Sequence, residues 1–403
     1  MKYELKLGDN AETLKQYPDN HFDSIVTDPP YGIEFMGKDW DKHTGAVETW
    51  NECFRVLKPG GHILAFSASR TYHHLATNIE SVGFEIRDQI MWIYGSGFPK
   101  SANLGKAIDK KQGNKRIKTG QIKTHARKGV AVAEERTAIN AGSFGQEVEE
   151  ELTVGTSDWE GWGTALKPAH EPIVMARKPL SEKTIAENVL KHGTGGINID
   201  ESRVETEDKT QRVNRGVEWG VRNDKSGNEP KVYGSTKGRY PANVIHDGSE
   251  EVLEGFPETK GRHGMTQHGS GTNTKYGKFA RTEQSFVNDG VGDSGSAARF
   301  FYCSKVSKKE RNIGQSTDGK NNHPTVKPVA LMKYLITLIT PKGGKVLDPF
   351  NGSGSTGMAC VELGYEYTGC ELDPDYIEIS KVRIEAWYAE NKPEEVNEYF
   401  DKI

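Results

Sequence analysis

Short apolar runs alternate with polar turns along the first hundred residues. Apolar runs that stop at glycine, proline or aspartate are typical of buried strands, and apolar positions three or four apart indicate amphipathic helices. This pattern predicts strands at residues 2–7, 24–27, 62–68 and 86–94, and helices at 11–16 and 49–57. The second helix is predicted to stop at a turn formed by residues 58–61, Lys-Pro-Gly-Gly.

The same alternation returns towards the C-terminus. It predicts helices at 328–340, 355–363 and 374–389, with strands at 345–347 and 367–372, and a further isolated strand at 171–178. Strands that alternate with helices in this way predict an α/β fold, in which a doubly wound, mostly parallel sheet carries helices on both faces.

Two long segments between these parts are polar and rich in glycine. We therefore divide the chain into residues 1–100, 101–167, 168–180, 181–322 and 323–403. Apolar islands at 196–199, 239–245 and 298–302 predict that the second polar segment is partly ordered. Loop-rich stretches of this length are usually either functional or disordered.

Composition agrees with a core that is interrupted by a polar module. Hydrophobic residues make up 34% of the 403 positions, and the mean hydropathy is −0.70. No run of 18 apolar residues exists, and the N-terminus lacks an apolar signal segment, so we expect a cytoplasmic protein without a membrane span. The four cysteines are far apart, which predicts neither a metal site nor a disulfide framework; Cys360 and Cys370 are expected to be buried.

Charge is unevenly distributed although the net charge is only −4. Residues 100–128 carry ten lysines and arginines and a single acid, Asp109. Such a stretch is either a cationic patch that follows phosphate groups or a solvated, mobile loop, and the sequence leaves both open.

Two predicted strands end in turns with distinctive chemistry. The first strand runs into Asp28-Pro29-Pro30-Tyr31, and because prolines have no N–H, this turn offers mainly hydrogen-bond acceptors. Acceptors suit an exocyclic amino group, whose two N–H bonds they would receive, and Tyr31 offers an aromatic face for a base. A structural turn with a core tyrosine is the alternative.

The second turn, residues 348–357, is rich in glycine and opens a helix. Gly352, Gly354 and Gly357 allow the backbone to approach a ligand closely, and Glu371 follows at the distance where dinucleotide folds place a ribose-binding acid. Nucleotide-binding folds in general use the same arrangement, so this turn alone does not identify the ligand.

Together the two turns, Asp-Pro-Pro-Tyr and Asp-Pro-Phe-Asn-Gly-Ser-Gly, resemble the catalytic and cofactor motifs of β-class amino-group DNA methyltransferases. Members of this family use S-adenosylmethionine and act on adenine N6 or cytosine N4. The resemblance implies a circularly permuted, seven-stranded, Rossmann-like methyltransferase sheet. Residues 1–100 would be its catalytic half, 168–180 a core strand and 323–403 its cofactor-binding half, with 181–322 as an inserted target-recognition region.

The resemblance also implies roles for individual residues. The catalytic group would be Asp28, Pro29, Pro30 and Tyr31, acting on a base rotated out of the duplex. The methionine end of S-adenosylmethionine would be lined by Asp348, Phe350, Gly352 and Gly354, with Thr325 and Lys327 near its carboxylate. Glu371 would bind the ribose. Asp9 would meet the cofactor adenine, although it could equally cap the helix that follows.

The implied partner is double-stranded DNA, with a homodimer and a cognate restriction nuclease as further expectations. Aspartate before Pro-Pro-Tyr favours adenine N6 over cytosine N4. Arg239, Tyr240 and Asn243 are candidates for reading bases, and residues 261–295 are expected to order on DNA. Methylation of an RNA or protein amino group, or an inactive DNA-binding homologue, are the alternatives. The tripeptide Glu187-Asn188-Val189, which also occurs in cytosine-C5 enzymes, is expected to be incidental.

Overall fold

The structure is a computed structural model. It describes residues 2–33, 41, 43–97, 101–127, 144–206, 212–214, 231–233, 238–260, 265–267, 286–288, 294–304, 309–315, 321, 323 and 325–391.

Strands of the described part of the chain fall into one large sheet and several small antiparallel pairs. In chain order they are Tyr3–Leu7 (β1), Phe22–Thr27 (β2), Leu57–Phe66 (β3), Glu85–Ile93 (β4), Ile117–Arg127 (β5), Phe144–Val154 (β6), His170–Arg177 (β7), Arg212–Asn214 (β8), Lys231–Tyr233 (β9), Val244–His246 (β10), Glu258–Lys260 (β11), Met265–Gln267 (β12), Phe286–Asn288 (β13), Ser294–Ser296 (β14), Tyr302–Cys303 (β15), Lys345–Asp348 (β16) and Glu366–Glu371 (β17).

Helices cover both faces of the large sheet. They are Asn10–Leu14 (α1), Val47–Val56 (α2), Tyr72–Ser81 (α3), Leu104–Gln112 (α4), Ile185–His192 (α5), Glu250–Glu254 (α6), Val329–Ile339 (α7), Ser355–Leu363 (α8) and Pro374–Asn391 (α9). None of these described helices is both long and apolar enough to cross a membrane.

The large sheet has the order β1-β17-β16-β2-β3-β7-β4-β10-β15. β7 runs antiparallel to β3 and β4, and the other neighbouring strands are parallel. The predicted α/β fold with a permuted, mostly parallel sheet is therefore confirmed. Two short strands from the region 181–322, β10 and β15, extend the expected seven strands to nine, because the apolar island at 244–245 pairs with the outer edge of β4.

The two ends of the chain meet in the middle of this sheet. β16 pairs with β2 through Val346–Ser24 and Leu347–Ile25, and β1 pairs with β17 along its whole length. From β16 the sheet continues to β17 on one side and from β2 to β3 on the other. The strand order therefore reverses between β16 and β2, and such reversals are where α/β sheets bind ligands.

Apolar side chains alternate between two hydrophobic cores, one on each face of the sheet. Val26 and Leu64 pack with α7 and α8, whereas Ile25 and Ile63 pack with α2 and α3. Burial on both faces explains why these strands have continuous apolar sequences. Cys360 and Cys370 are fully buried, as predicted.

The predicted turn at 58–61 lies inside β3 as an irregularity of the strand. Leu57 pairs with Phe22 and the next pair is His62 with Ser24, so four residues of β3 bulge out of the ladder. Gly60 takes a φ of 79° there. Asn188 Nδ2 and Thr194 Oγ1 donate hydrogen bonds to the carbonyl of Pro59 at 2.8 and 2.6 Å. Asn188, in the tripeptide shared with cytosine-C5 enzymes, thus has a structural contact.

The basic segment 101–167 forms the helix α4 and the antiparallel ribbon β5–β6. The Arg116 guanidinium forms ion pairs with Asp109 at 2.5 Å and with Glu160 at 2.7 Å. β6 has four glutamates in its sequence and pairs with β5 along the ribbon. Lys100 and Lys128 lie outside the described residues, and the choice between a cationic patch and a solvated loop stays a prediction.

The predicted base-reading candidates have contacts within the fold. Arg239 stacks on Phe300, with 4.6 Å between its guanidinium carbon and the ring centroid, and Asn243 Nδ2 donates to Asp88 at 3.1 Å. Tyr240 is 66% exposed. Most of residues 261–295, expected to order on DNA, lies outside the described residues.

Candidate active site

A cavity of about 850 Å³ opens at the carboxyl edge of the parallel strands, where β16 and β2 meet. It brings together most of the residues singled out from the sequence: Asp9, Asp28, Pro29, Pro30, Tyr31, Thr325, Lys327, Asp348, Phe350, Gly352 and Glu371. Gly354 lies behind the wall instead, where it takes a left-handed conformation as the N-cap of α8 and packs against Ser380.

At the end of β2, Asp28 belongs to a compact cluster of charged and polar groups. Lys327 Nζ donates to Asp28 Oδ2 at 2.6 Å, and the Tyr31 hydroxyl lies 2.8 Å from Asp28 Oδ1. The same hydroxyl lies 3.1 Å from Glu171 Oε2 and accepts from Lys327 Nζ at 3.1 Å. The sequence suggested a turn of acceptors alone, but the structure adds an ammonium group to it.

Glu171 reaches the cluster because of the direction of β7. This strand is antiparallel to β3 and β4, so its first residues lie where the parallel strands end; His170 pairs with Ile93. Glu171 Oε2 is 3.4 Å from Lys327 Nζ. The cluster therefore combines residues from β2, β7 and the segment before α7.

Burial sets the protonation of this cluster. Burial and the neighbouring Asp28 and Glu171 carboxylates raise the pKa of Tyr31 well above its usual value, so its hydroxyl stays protonated. Burial raises the pKa of Glu171, an effect that Lys327 partly opposes. Burial alone would lower the pKa of Lys327, but the attraction of Asp28 and Glu171 raises it above the ordinary value. Lys327 is therefore a buried cation at neutral pH.

The turn after Pro30 is fixed by Asp41. Its Oδ1 accepts hydrogen bonds from the backbone N–H groups of Tyr31 at 2.6 Å and Gly32 at 3.1 Å, and Oδ2 accepts from Ile33 at 3.3 Å. Asp41 is 1% exposed. A buried carboxylate that receives three backbone N–H bonds holds the turn in one conformation, and with it the position of Tyr31.

On the other side of the cavity, Asp348 joins the two halves of the protein. Thr27 and Thr356 each donate a hydroxyl hydrogen bond to its carboxylate at 2.6 Å, and the Phe350 N–H donates at 3.1 Å. Burial raises the pKa of Asp348 to about 6, against the effect of these donors. Asp348 thus ties the end of β2, the glycine-rich turn and the start of α8 together.

The glycine-rich turn meets the end of β17 and β1. Gly352 has a φ of 52°, and its N–H donates to Glu371 Oε2 at 2.8 Å. Glu371 Oε1 accepts from the next two backbone N–H groups. Asp9 lies beside Glu371 because Leu7 pairs with Glu371 and the Gly8 N–H donates to the Glu371 carbonyl at 2.9 Å. Asp9 also caps α1 by accepting from the Glu12 N–H.

The segment before α7 closes the cavity between the Asp28 cluster and the glycine-rich turn. A Cβ on Gly352 would lie 2.8 Å from His323 Nε2, and the His323 ring packs edge-on against Tyr376. Burial lowers the pKa of His323 to about 4, so this ring is neutral at physiological pH. The resemblance placed Lys327 near a cofactor carboxylate; in the structure Lys327 lines the cavity and its ammonium group donates to Asp28.

Sequence reasoning missed Glu171, Asp41 and His323 as parts of the site. Glu171 was singled out only as part of a core strand, and Asp41 has no motif around it. A signal existed for Glu171, because an acid at the start of a buried strand is unusual unless it is paired.

Comparison with known proteins identifies the family of the chain. A family model for N6/N4 DNA methylases matches residues 22–382. The chain therefore belongs to the N6/N4 DNA methylase family.

Several characterised relatives are similar over part or all of their length. The type II methyltransferase M.HindIII of Haemophilus influenzae is 22% identical over 422 aligned positions, which cover 94% of this chain and 93% of that protein. M2.MboI of Moraxella bovis is 43% identical over 89 residues, which is 22% of this chain and 30% of the relative. Among solved structures, the M1.HpyAVI–SAM complex has 16% identity and a TM-score of 0.39, with 94% of this chain and 99% of that chain covered.

Proposed function

We propose that this protein transfers a methyl group from S-adenosylmethionine to the N6 amino group of an adenine in double-stranded DNA. The observation that carries the proposal is the shared cavity. The Asp28 cluster follows β2, Gly352 follows the neighbouring strand β16, and Glu371 ends β17, and all three line this one cavity. A methyl donor and an amino acceptor need such an arrangement, because catalysis of this transfer rests on positioning and electrostatics.

The residues around the glycine-rich turn fit S-adenosylmethionine. Glu371 offers a carboxylate at a strand end, where a bidentate contact with ribose hydroxyls is possible, and Asp9 lies beside it. The positive φ of Gly352 and the crowding around its Cα leave room only for a glycine at this wall. When bound, S-adenosylmethionine supplies an activated methyl group on a sulfonium centre.

The Asp28 cluster supplies the other half of the reaction. An exocyclic amino group is a poor nucleophile because its lone pair is delocalised into the base. Asp28 and the Pro29 carbonyl would accept its N–H bonds and localise that lone pair. The base must leave the duplex to reach this buried turn, and the Tyr31 ring provides a surface for it.

Adenine is the expected base because aspartate, not serine, precedes Pro-Pro-Tyr. The relatives' names include both chemistries: YhdJ of Escherichia coli, 40% identical over 68 residues, is a DNA adenine methyltransferase, and the PvuII enzyme, at 12% identity with a TM-score of 0.41, is cytosine-N4-specific. A homodimer and a partner nuclease stay predictions from the resemblance.

The test is mass spectrometry of nucleosides from DNA that has been incubated with the protein and S-adenosylmethionine. We expect N6-methyladenine with the wild-type protein and none with Asp28→Ala, while cofactor binding measured by calorimetry is mostly retained. Asp158→Ala, at an exposed position, is the control. Detection of N4-methylcytosine would mean that the target base is cytosine and not adenine. Methylation confined to RNA or protein, or no methylation at all, would refute the proposal.

A further inference from the structure

The Tyr31 hydroxyl is shared between two partly buried carboxylates. It lies 2.8 Å from Asp28 Oδ1 and 3.1 Å from Glu171 Oε2, but it has one proton and can donate to one of them at a time. Lys327 donates to Asp28 and to the Tyr31 oxygen. With both acids ionised, the cluster has a net negative charge. Its two donor groups, Lys327 and the Tyr31 hydroxyl, face three acceptor groups, which are the two carboxylates and the Tyr31 oxygen.

Glu171 is where an extra proton is most easily taken up. The charged and titratable groups that face it are Asp28, Tyr31 and Lys327, with Tyr94 from the end of β4. Burial raises the pKa of Glu171, and Tyr31 and Tyr94 stay protonated because burial raises their pKa values as well. The Glu171 side chain is 20% exposed, so a proton on it can pass to water in the cavity.

The proposed reaction produces such a proton. When a methyl group is added to an amino nitrogen, that nitrogen becomes positively charged until one of its N–H bonds breaks. Asp28 accepts hydrogen bonds from the amino group and is the first base in reach. Its Oδ2 also binds Lys327 Nζ at 2.6 Å, and its Oδ1 lies 2.8 Å from the Tyr31 hydroxyl, so the first base in reach is joined to Glu171 through Tyr31.

We propose that Glu171 accepts the proton released by methyl transfer, and that Tyr31 relays it from Asp28. The inference rests on the proposed function. The electron pair of the broken N–H bond stays on nitrogen and the proton moves to Asp28 Oδ1. The Tyr31 oxygen then takes that proton as its own hydroxyl proton passes to Glu171. Asp28 and Tyr31 return to their starting forms, the amine is neutral, and Glu171 finally releases the proton to water.

Glu171→Gln tests the relay because glutamine keeps the size and a carbonyl oxygen but cannot take up the proton. The measurement is the single-turnover rate of methyl transfer to duplex DNA at saturating S-adenosylmethionine, from about pH 5 to 9. In the wild type the rate should fall as pH falls through the pKa of Glu171, since a protonated acid cannot accept. In Glu171→Gln that fall should disappear, and the rate at neutral pH should be lower by about tenfold.

Three further variants separate the relay from a structural role. Glu171→Asp keeps a carboxylate and should retain the fall at acid pH with partial recovery of the rate. Tyr31→Phe keeps the ring but removes the relaying hydroxyl, so it should lose the fall as Glu171→Gln does. Glu182→Gln, at a surface ion pair on the other side of β3, should match the wild type.

Other titrating groups are distinguished by the parameter that they change. Protonation of Asp348, with its pKa of about 6, would alter the cofactor turn and so the KM for S-adenosylmethionine, not the saturated rate. An acid fall that persists in Glu171→Gln, or an equal loss in Glu171→Gln and Glu171→Asp at every pH, overturns the relay. If Glu171→Gln does not fold, Tyr31→Phe decides the question. A wild-type protein that methylates nothing refutes the proposed function instead.

Discussion

At the scale of single residues, the site depends on carboxylates whose partners are far away in sequence. Asp28 and Gly352 both lie in recognisable local motifs, so the neighbouring residues in the sequence were enough to predict both as parts of the site. Glu171 could not be predicted in the same way, because its partner Tyr31 is 140 positions earlier and the two meet only through the antiparallel direction of β7. Asp41 was missed because it binds backbone N–H groups, which leave no mark on residue identity.

Asp348 gives a prediction about stability. Its folded pKa of about 6 is raised from 3.8, so its contribution to the free energy of unfolding is fully present below pH 3.8 and is lost as pH rises through about 6. The asparagine side chain of Asp348→Asn does not ionise, so the variant does not lose stability in this way as pH rises. We therefore expect the variant to gain stability relative to wild type between these pH values, by up to about 3 kcal/mol, and to bind S-adenosylmethionine more weakly.

Urea unfolding from about pH 4 to 8 measures the difference between the two proteins. Asp375→Asn, on the exposed first turn of α9, is the matched control and should show no such trend. A difference that stays constant with pH would mean that Asp348 is not the titrating group.

At the scale of elements, strands buried on both faces were the easiest to predict. β2 and β16 are short, continuous apolar runs followed by distinctive turns, and both lie within a few residues of their predicted bounds. α3 was not predicted, since it buries only Leu75 and Ile79 and has little apolar periodicity. The ribbon β5–β6 was also missed, because its strands are polar and lack an alternating pattern.

The bulge in β3 gives a prediction at this scale. Asn188 is fully buried and its amide joins the Pro59 and Thr194 carbonyls to the Ser181 N–H. Asn188→Ala removes the side chain that bonds the Thr194 carbonyl and the Ser181 N–H, and it removes one of the two donors to the Pro59 carbonyl, which keeps Thr194 Oγ1. The change should lower the free energy of unfolding by about 2 kcal/mol, with an unchanged rate of methyl transfer in the folded protein.

Chemical denaturation measures the change in the free energy of unfolding, and single-turnover kinetics measures the rate of methyl transfer. Asn198→Ala, whose amide makes an exposed hydrogen bond with Glu201, is the control and should change neither. A folded Asn188→Ala protein that is inactive would mean that the shared tripeptide has a catalytic role after all.

At the scale of the whole molecule, the fold joins the first strands of the chain to the last. β1 pairs with β17 and β2 with β16, and α7 packs on β2 and β3. The apolar pattern predicted the strands, but their order was implied by the resemblance alone, because periodicity does not say which strands are neighbours. The outer pair β10–β15 depends on two or three residues each, too few for a pattern to be recognised.

This join predicts that the chain can be divided. Residues 1–267 and 286–403, expressed together as separate chains, should associate because the central strand pairs and both cores cross the division. Size-exclusion chromatography and S-adenosylmethionine binding by calorimetry check this. A shortened second piece that ends at residue 341 lacks β16 and β17, and it should lose both the association and the binding of S-adenosylmethionine. Separate elution of the two full pieces would contradict the prediction.

The pairing of β2 with β16 also bears on how the protein is made. A ribosome completes the Asp28 turn within the first tenth of synthesis, and β3, one neighbour of β2, is complete at residue 66. The other neighbour, β16, emerges only from residue 345 onward. Until then Ile25 and Val26 lie on an uncovered sheet edge, which invites pairing with other chains. Truncated products of translation should therefore aggregate and be removed, and a chain that stops before residue 345 carries the Asp28 turn without Gly352 and Glu371 on the other side of the cavity.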